Sequence, residues 1–173
     1  MNEKILSQVK AATDELIKLL TSLSETALNT RPFEGSWTAA QLGDHLLKSY
    51  GVGRILEAPV KPSEREPNEK VELIRKVMLN FDTKMNAPEF IVPSDDPIDK
   101  TILLNSLQNV SSKIFQIAEH LDLSATCTGF ALPELGELTR SEWLHFILYH
   151  TQRHNNQLKN IIQKLPKHAS LPR

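Results

Sequence analysis

The segment TRSEWLHFILYHTQRHNNQLKNII, residues 139–162, decides how the rest of the chain is read. Thr139 followed three residues later by Glu142 forms a capping box, which satisfies the free N–H groups that open a helix. Apolar residues then recur at steps of three and four, from Trp143 and Ile147 to Leu158 and Ile161. The same stripe passes through His150 and His154, with Gln157 beside Leu158 at the next step. Two imidazoles four residues apart leave one face of a helix. On an inward face they are costly unless something satisfies their nitrogens.

Three other segments carry a helical period. The first places Ile5, Val9, Ala12, Leu16, Leu19 and Leu23 on one stripe. A second opens at TAAQL, where Thr38 and Gln41 make another capping box, and runs through Leu42, Leu46, Val52 and Leu56. A third is expected from DDPIDKT, with Asp96 as N-cap and Pro97 at the first helical position. Its stripe is Leu103, Leu107, Val110, Ile114, Ile117 and Leu121. Between the second and third lie a proline- and charge-rich loop, EAPVKPSEREPNEK, and a shorter helix over VELIRKVMLNFDTKM. NAPEFIVPSDDP then reads as an extended connection, and no alternation is long enough for a sheet. The expectation is an all-α, four-helix bundle with a long crossover between the second and third main helices, one domain over residues 1–173.

Composition narrows the function. The 173 residues carry a formal net charge of −1 with both signs interspersed, and no basic block appears, which argues against nucleic acid. A single cysteine, Cys127, cannot form an internal disulfide and suits a reducing cytoplasm. With no activating neighbour in sequence, it reads as a small apolar filler. The first twenty residues lack the apolar core of a signal peptide, and no apolar run has transmembrane length. A cytoplasmic protein without a membrane or nucleic-acid role is expected.

A divalent metal would satisfy the paired histidines, and the i, i+4 spacing suits its bite. The second helix offers a third inward ligand, His45, between Leu42 and Leu46. Three histidines leave a coordination position open, as in catalytic sites. His145 lies nine residues before His154, half a turn away, and is expected to face solvent or a partner. His120 closes the third helix and His168 sits in the tail, both off the stripes. Asp44 could support His45 as an outer carboxylate, but adjacent helix positions diverge by about 100°, so it is expected to face solvent. Ser49, Arg153 and Gln157 are candidate cavity residues. H-T-Q-R-H lacks the glutamate of a metalloprotease helix, and no nucleophile elbow or phosphate loop is present.

GSWTAAQLGDHLLKS, APEFIVPSD and LPELGELTRSEWLHFILYHTQRHNNQLKNI together resemble the DinB-like superfamily, including its YfiT-type metalloenzymes. The matching features are Trp37 opening the second helix, His45 on it, H-x-x-x-H followed by glutamine, and the turn with Pro133, Gly136 and Thr139. The resemblance implies a four-helix bundle and a divalent metal, zinc or nickel, held by His45, His150 and His154. It also implies a homodimer and a thiol-dependent S-transferase using a low-molecular-weight thiol. A metal-dependent hydrolase and a non-catalytic binding protein stay open. The chain departs at Leu132, where relatives often carry a histidine.

Overall fold

A computed structural model describes residues 2–166, so His168 lies outside the described residues. Helix α1 (Asn2–Thr21) turns Ile5, Val9, Ala12, Leu16 and Leu20 inward, with Leu20 taking the deep position expected of Leu19. After the short α2 (Glu25–Leu28), α3 (Ala39–Ser49) opens on its capping box. Thr38 Oγ1 accepts from the Gln41 N–H, and Gln41 Oε1 accepts from the Thr38 N–H, each at 3.0 Å. The second helix does not run unbroken to Leu56: a 3-10 turn at Tyr50–Val52 separates α3 from α4 (Gly53–Glu57). Gly51 lies within this turn and Gly53 opens α4, and glycine weakens a continuous helix.

The crossover holds α5 (Val71–Met78) and a 3-10 turn at Glu89–Ile91. Helix α6 (Lys100–Glu119) begins later than expected, because its N-cap is Asp99, whose carboxylate accepts from the Ile102 N–H at 2.8 Å. Asn29 explains the delay. Its side chain bonds both backbone groups of Ile98 and holds that residue outside the helix. Ser111 and Ala118 join Leu103, Leu107 and Ile114 on the buried face of α6, with Val110, Ile117 and Leu121 at its flanks.

Helix α7 (Arg140–Lys164) starts on the expected box of Thr139 and Glu142. It packs against α1, α3 and α5, while α6 packs against α1, α3 and α4. Gly43 sets the approach of α3 to its neighbours: a Cβ there would stand 2.9 Å from Leu103 Cδ2 and 3.3 Å from Leu20 Cδ1. Glycine leaves that space to the two leucine side chains, and a larger residue would force them to shift. A buried polar contact, Tyr50 Oη to Thr151 Oγ1 at 2.8 Å, ties the end of α3 to α7.

The chain is mostly helical, as expected, but it is not purely so. A small antiparallel sheet, in the order β1–β2–β3, joins β1 (Val60–Lys61), β2 (Thr126–Leu132) and β3 (Gly136–Thr139). Its strands are too short or too irregular to show in sequence. β1 has two residues, and the β2–β3 pairing slips between Thr126 and Ala131. Gly136 stands at φ 68° just after the hairpin turn, in the left-handed region where glycine carries no Cβ penalty. Cys127 is buried in β2, and burial pushes its thiol pKa up, as an apolar filler requires. Among the described residues no helix is long and apolar enough to cross a membrane.

Glu142 fastens the crossover to α7. Besides the Thr139 N–H it accepts the Lys70 N–H at 2.8 Å and both Arg65 guanidinium nitrogens at 2.6 and 2.7 Å. Burial raises its carboxyl pKa, but these donors outweigh burial and hold it below the usual value. Its stabilisation is therefore present above the unfolded carboxyl pKa and is lost as pH falls through the lower folded one. Replacing Glu142 with glutamine is expected to cost about 2 kcal/mol in urea denaturation at neutral pH. That is below the cost of breaking a wholly buried pair, since the Arg65 side chain keeps 21% of its surface in water. A loss under a few tenths of a kcal/mol would show that the carboxylate is not what holds the crossover.

Candidate metal centre

Helices α3 and α7 bring three imidazoles together. His45 Nε2 lies 3.3 Å from His150 Nε2, and His154 Nε2 lies 3.0 Å from the same atom. One candidate ligand atom from each ring falls within 4.8 Å of the other two. Nitrogens bound at about 2.0–2.1 Å to one tetrahedral ion stand about 3.3 Å apart, so the spacing fits. His45 and His154 are buried and His150 is partly buried. The pair therefore lies at the margin of the α7 core face, whose centre is Leu144, Leu148, Thr151 and Leu158.

The far sides of two rings decide what the cluster can bind. His45 Nδ1–H donates to the Ile91 carbonyl at 2.9 Å, and His154 Nδ1–H donates to Gln157 Oε1 at 2.9 Å. Neutral imidazole carries one proton, so both Nε2 atoms are left with lone pairs aimed at His150 Nε2. That atom can donate to one of them at most. The three inner nitrogens thus share at most one proton, and at least one lone pair is left without a donor, which a cation would resolve.

Extra protons are a poor alternative. Burial lowers the His154 pKa to about 3, helped by the nearby His45 and Arg153 charges. His150 is held well below its usual value by burial first, then by repulsion from His154, His45 and Arg153. His45 is lowered by burial, against the opposing hydrogen bond it donates to the Ile91 carbonyl. The site disfavours protons while presenting lone pairs, the donor set of a metal site.

The crossover is laced along α3 beside the triad. In addition to His45 on Ile91, Lys48 Nζ donates to the Val92 carbonyl at 2.8 Å. The Ser94 N–H donates to Asp44 at 3.0 Å, and Gln41 Nε2 donates to the Ser94 carbonyl at 3.1 Å. Aromatic rings cover two ligands. Trp37 lies 5.0 Å from the His45 ring, and Phe146 stacks on His150 at 5.4 Å and 19°.

Other sequence candidates have different places. Ser49 Oγ donates to the His45 carbonyl one turn back, and Asp44 pairs with Lys48 at 2.8 Å. Arg153 donates to the carbonyls of Met78, Asn80 and Thr83, clamping the end of α5 instead of walling a pocket. His145 is half-buried, donates Nδ1–H to the Ser141 carbonyl, and stays out of the cluster. His120 is the exposed C-cap of α6.

The order of these features along the chain has counterparts elsewhere. The family model of the DinB superfamily matches residues 8–158. This chain belongs to the DinB superfamily. The uncharacterized protein YuaE of Bacillus subtilis (strain 168) is 27% identical over 154 residues, covering 86% of this chain and 91% of YuaE. The crystal structure of a DinB-like protein, YjoA, from Bacillus subtilis aligns with a TM-score of 0.54. That alignment covers 97% of this chain and 99% of YjoA at 18% identity, which is a likeness of fold.

In this DinB protein sequence reasoning missed the Ile91 carbonyl and the Phe146 ring. A backbone acceptor leaves no trace in residue identity. Phe146 was legible, since it stands one turn before His150.

Acid should weaken the metal-free DinB fold through these rings. An unfolded histidine takes its proton near pH 6.5, whereas folded His154 does so only at about 3. The unfolded chain thus binds more protons between those values. Stability is fully present above the unfolded pKa and falls with pH in that window, approaching about 1.4 kcal/mol per pH unit per histidine. In chelator-treated protein, His154→Asn is expected to lower the slope of unfolding free energy between about pH 5 and 6 by nearly one proton. An unchanged slope would mean that folded His154 protonates freely.

Proposed function

We propose that this DinB protein is a metal-dependent enzyme whose divalent ion, zinc or nickel, is held by His45, His150 and His154. The supporting observation is the pair of Nδ1–H bonds that commits two Nε2 lone pairs to the space shared with His150. When bound, such an ion would act as a Lewis acid that lowers the pKa of a thiol and favours the thiolate.

The chain's own residues supply orientation and charge. The Ile91 carbonyl and Gln157 fix two ring planes, and Phe146 stacks on the third. Three neutral imidazoles would leave the charge of an ion uncompensated. The positive charges of Arg153 and Lys48 act on the same rings, opposed by Asp44 at His45. This balance favours an anionic ligand such as a thiolate. Asp44, the carboxylate acting on His45, is already engaged by Lys48 and the Ser94 N–H. It is poorly placed to serve as the base of a hydrolase, so we favour thiol-dependent S-transfer onto a small electrophile over hydrolysis or binding without turnover.

The same proposal takes residues 1–173 as one domain, a four-helix bundle formed by α1, α3, α6 and α7 with the crossover outside it. It works as a cytoplasmic homodimer on small molecules, with no role for nucleic acid or membrane. The lone reduced cysteine and the near-neutral, interspersed charge support that setting.

Elemental analysis followed by zinc and nickel titration tests the site. Alanine at His45, His150 or His154 is expected to weaken affinity by about 100-fold or more, and Gln157→Leu by about tenfold, as loss of an outer partner does. His145→Ala should leave affinity unchanged. Affinity should fall with pH as the ligands protonate, and metal should raise the melting temperature. Retention of full affinity after any single triad substitution would exclude this site. A screen for thiol consumption with electrophiles then tests the reaction, and loss of thiol independent of metal would exclude it.

A further inference from the structure

We propose that the ligand received at the triad carries a planar apolar group, seated against the rings of Phe90, Phe130 and Phe146. The proposal rests on the metal-site reading and adds a substrate class to it.

Aromatic side chains are concentrated here. Ring contacts run from His150 to Phe146 at 5.4 Å, to Trp143 at 5.6 Å, to Phe130 at 6.1 Å and to Phe90 at 6.4 Å. With Trp37 on His45, this assembly takes five of the chain's ten aromatic residues. Yet it is not a closed core. Phe90 is 69% exposed and Phe130 37% exposed.

Exposed phenyl rings are ordinary when single, but a contiguous group beside a polar site marks a binding surface. Phe90 is also held in place. It precedes Ile91, whose carbonyl receives His45 Nδ1–H, and the following residues are bonded to Lys48, Asp44 and Gln41. One backbone segment therefore orients a ligand ring of the triad and presents an uncovered phenyl ring next to it. The exposed Phe33, by contrast, already has the Lys164 ammonium over its face at 4.6 Å. Trp143 contacts both Phe130 and Phe146, and among the described residues its buried Nε1–H has no acceptor. Its indole resonance is thus a local reporter of anything that enters.

The ligand's ring would stack or meet these rings edge-on, and each contact is worth a severalfold gain in affinity beyond area alone. Its ligating atom would reach the triad beside His150, the least buried of the three histidines.

Imidazole and 4-phenylimidazole test this, since they share a metal-binding nitrogen and differ by one phenyl ring. Both are titrated into zinc-loaded and metal-free full chain, with affinity read by calorimetry and the two tryptophan indole N–H signals read by NMR. In the zinc-loaded protein 4-phenylimidazole is expected to bind about tenfold tighter, consistent with one or two ring contacts. The Phe90→Ala, Phe130→Ala double variant should reduce that ratio to about one without altering the affinity for imidazole or zinc. These rings are exposed, so the variant should keep the wild-type circular dichroism; each single variant, with a partial loss, serves if the double does not fold. Equal affinity for the two probes, or a preference that survives both substitutions, overturns the proposal while leaving the metal site standing. If the chain binds no zinc, the metal reading fails, and the metal-free titration decides this one. A Trp143 shift caused by 4-phenylimidazole alone supports it, and no shift overturns it.

Discussion

Two hydrogen bonds on the outer edges of the rings govern the centre. By taking the Nδ1 protons of His45 and His154, the Ile91 carbonyl and the Gln157 amide oxygen leave lone pairs on the inner nitrogens. Neither acceptor touches the space between the rings, yet together they determine what that space will accept. If both inner nitrogens carried protons, the same 3.0–3.3 Å contacts would be bonds or clashes, and no cation could enter. Ring orientation and tautomer are thus set from outside the cluster.

The acceptors come from different kinds of structure, which constrains the fold differently. Gln157 stands one turn after His154 on α7, so helical geometry alone delivers it. Ile91 is brought from the crossover, and its position depends on the contacts that lace residues 91–95 along α3. The α3 side depends in turn on Gly43, which admits the helix closely against Leu103 and Leu20 two residues before His45. At the other end of the crossover, Glu142 draws Arg65 and Lys70 onto the first turn of α7. The long connection is therefore part of the centre, anchored to each helix that carries a ligand.

Much of this was legible in sequence because it follows helical period. Both capping boxes form as the residues at 38/41 and 139/142 require, and His45, His150 and His154 meet as the stripes imply. What escaped depends on contacts distant along the chain. Asp96 and Pro97 carry good start signals, but Asn29, 69 residues away from Ile98, engages that backbone and shifts the cap to Asp99. The hairpin of β2 and β3 hides behind a register slip, and β1 is too short to alternate. Arg153 was a candidate cavity residue, yet carbonyls at and just beyond the end of α5 claim its guanidinium.

A wholly structural account of the three histidines meets a difficulty of energetics. Buried polar clusters stabilise a fold only when every member is satisfied, and a partly satisfied one is worse than apolar packing of similar volume. Here the inner nitrogens share at most one proton, and burial together with mutual repulsion keeps further protons away. Leucines at the same stripe positions would hold α3 to α7 more cheaply. The surrounding chain nevertheless provides one acceptor for His45, another for His154, and aromatic cover on two faces. So much ordered support for groups that do not satisfy one another suits a cluster that could hold a cation better than one that only packs two helices together.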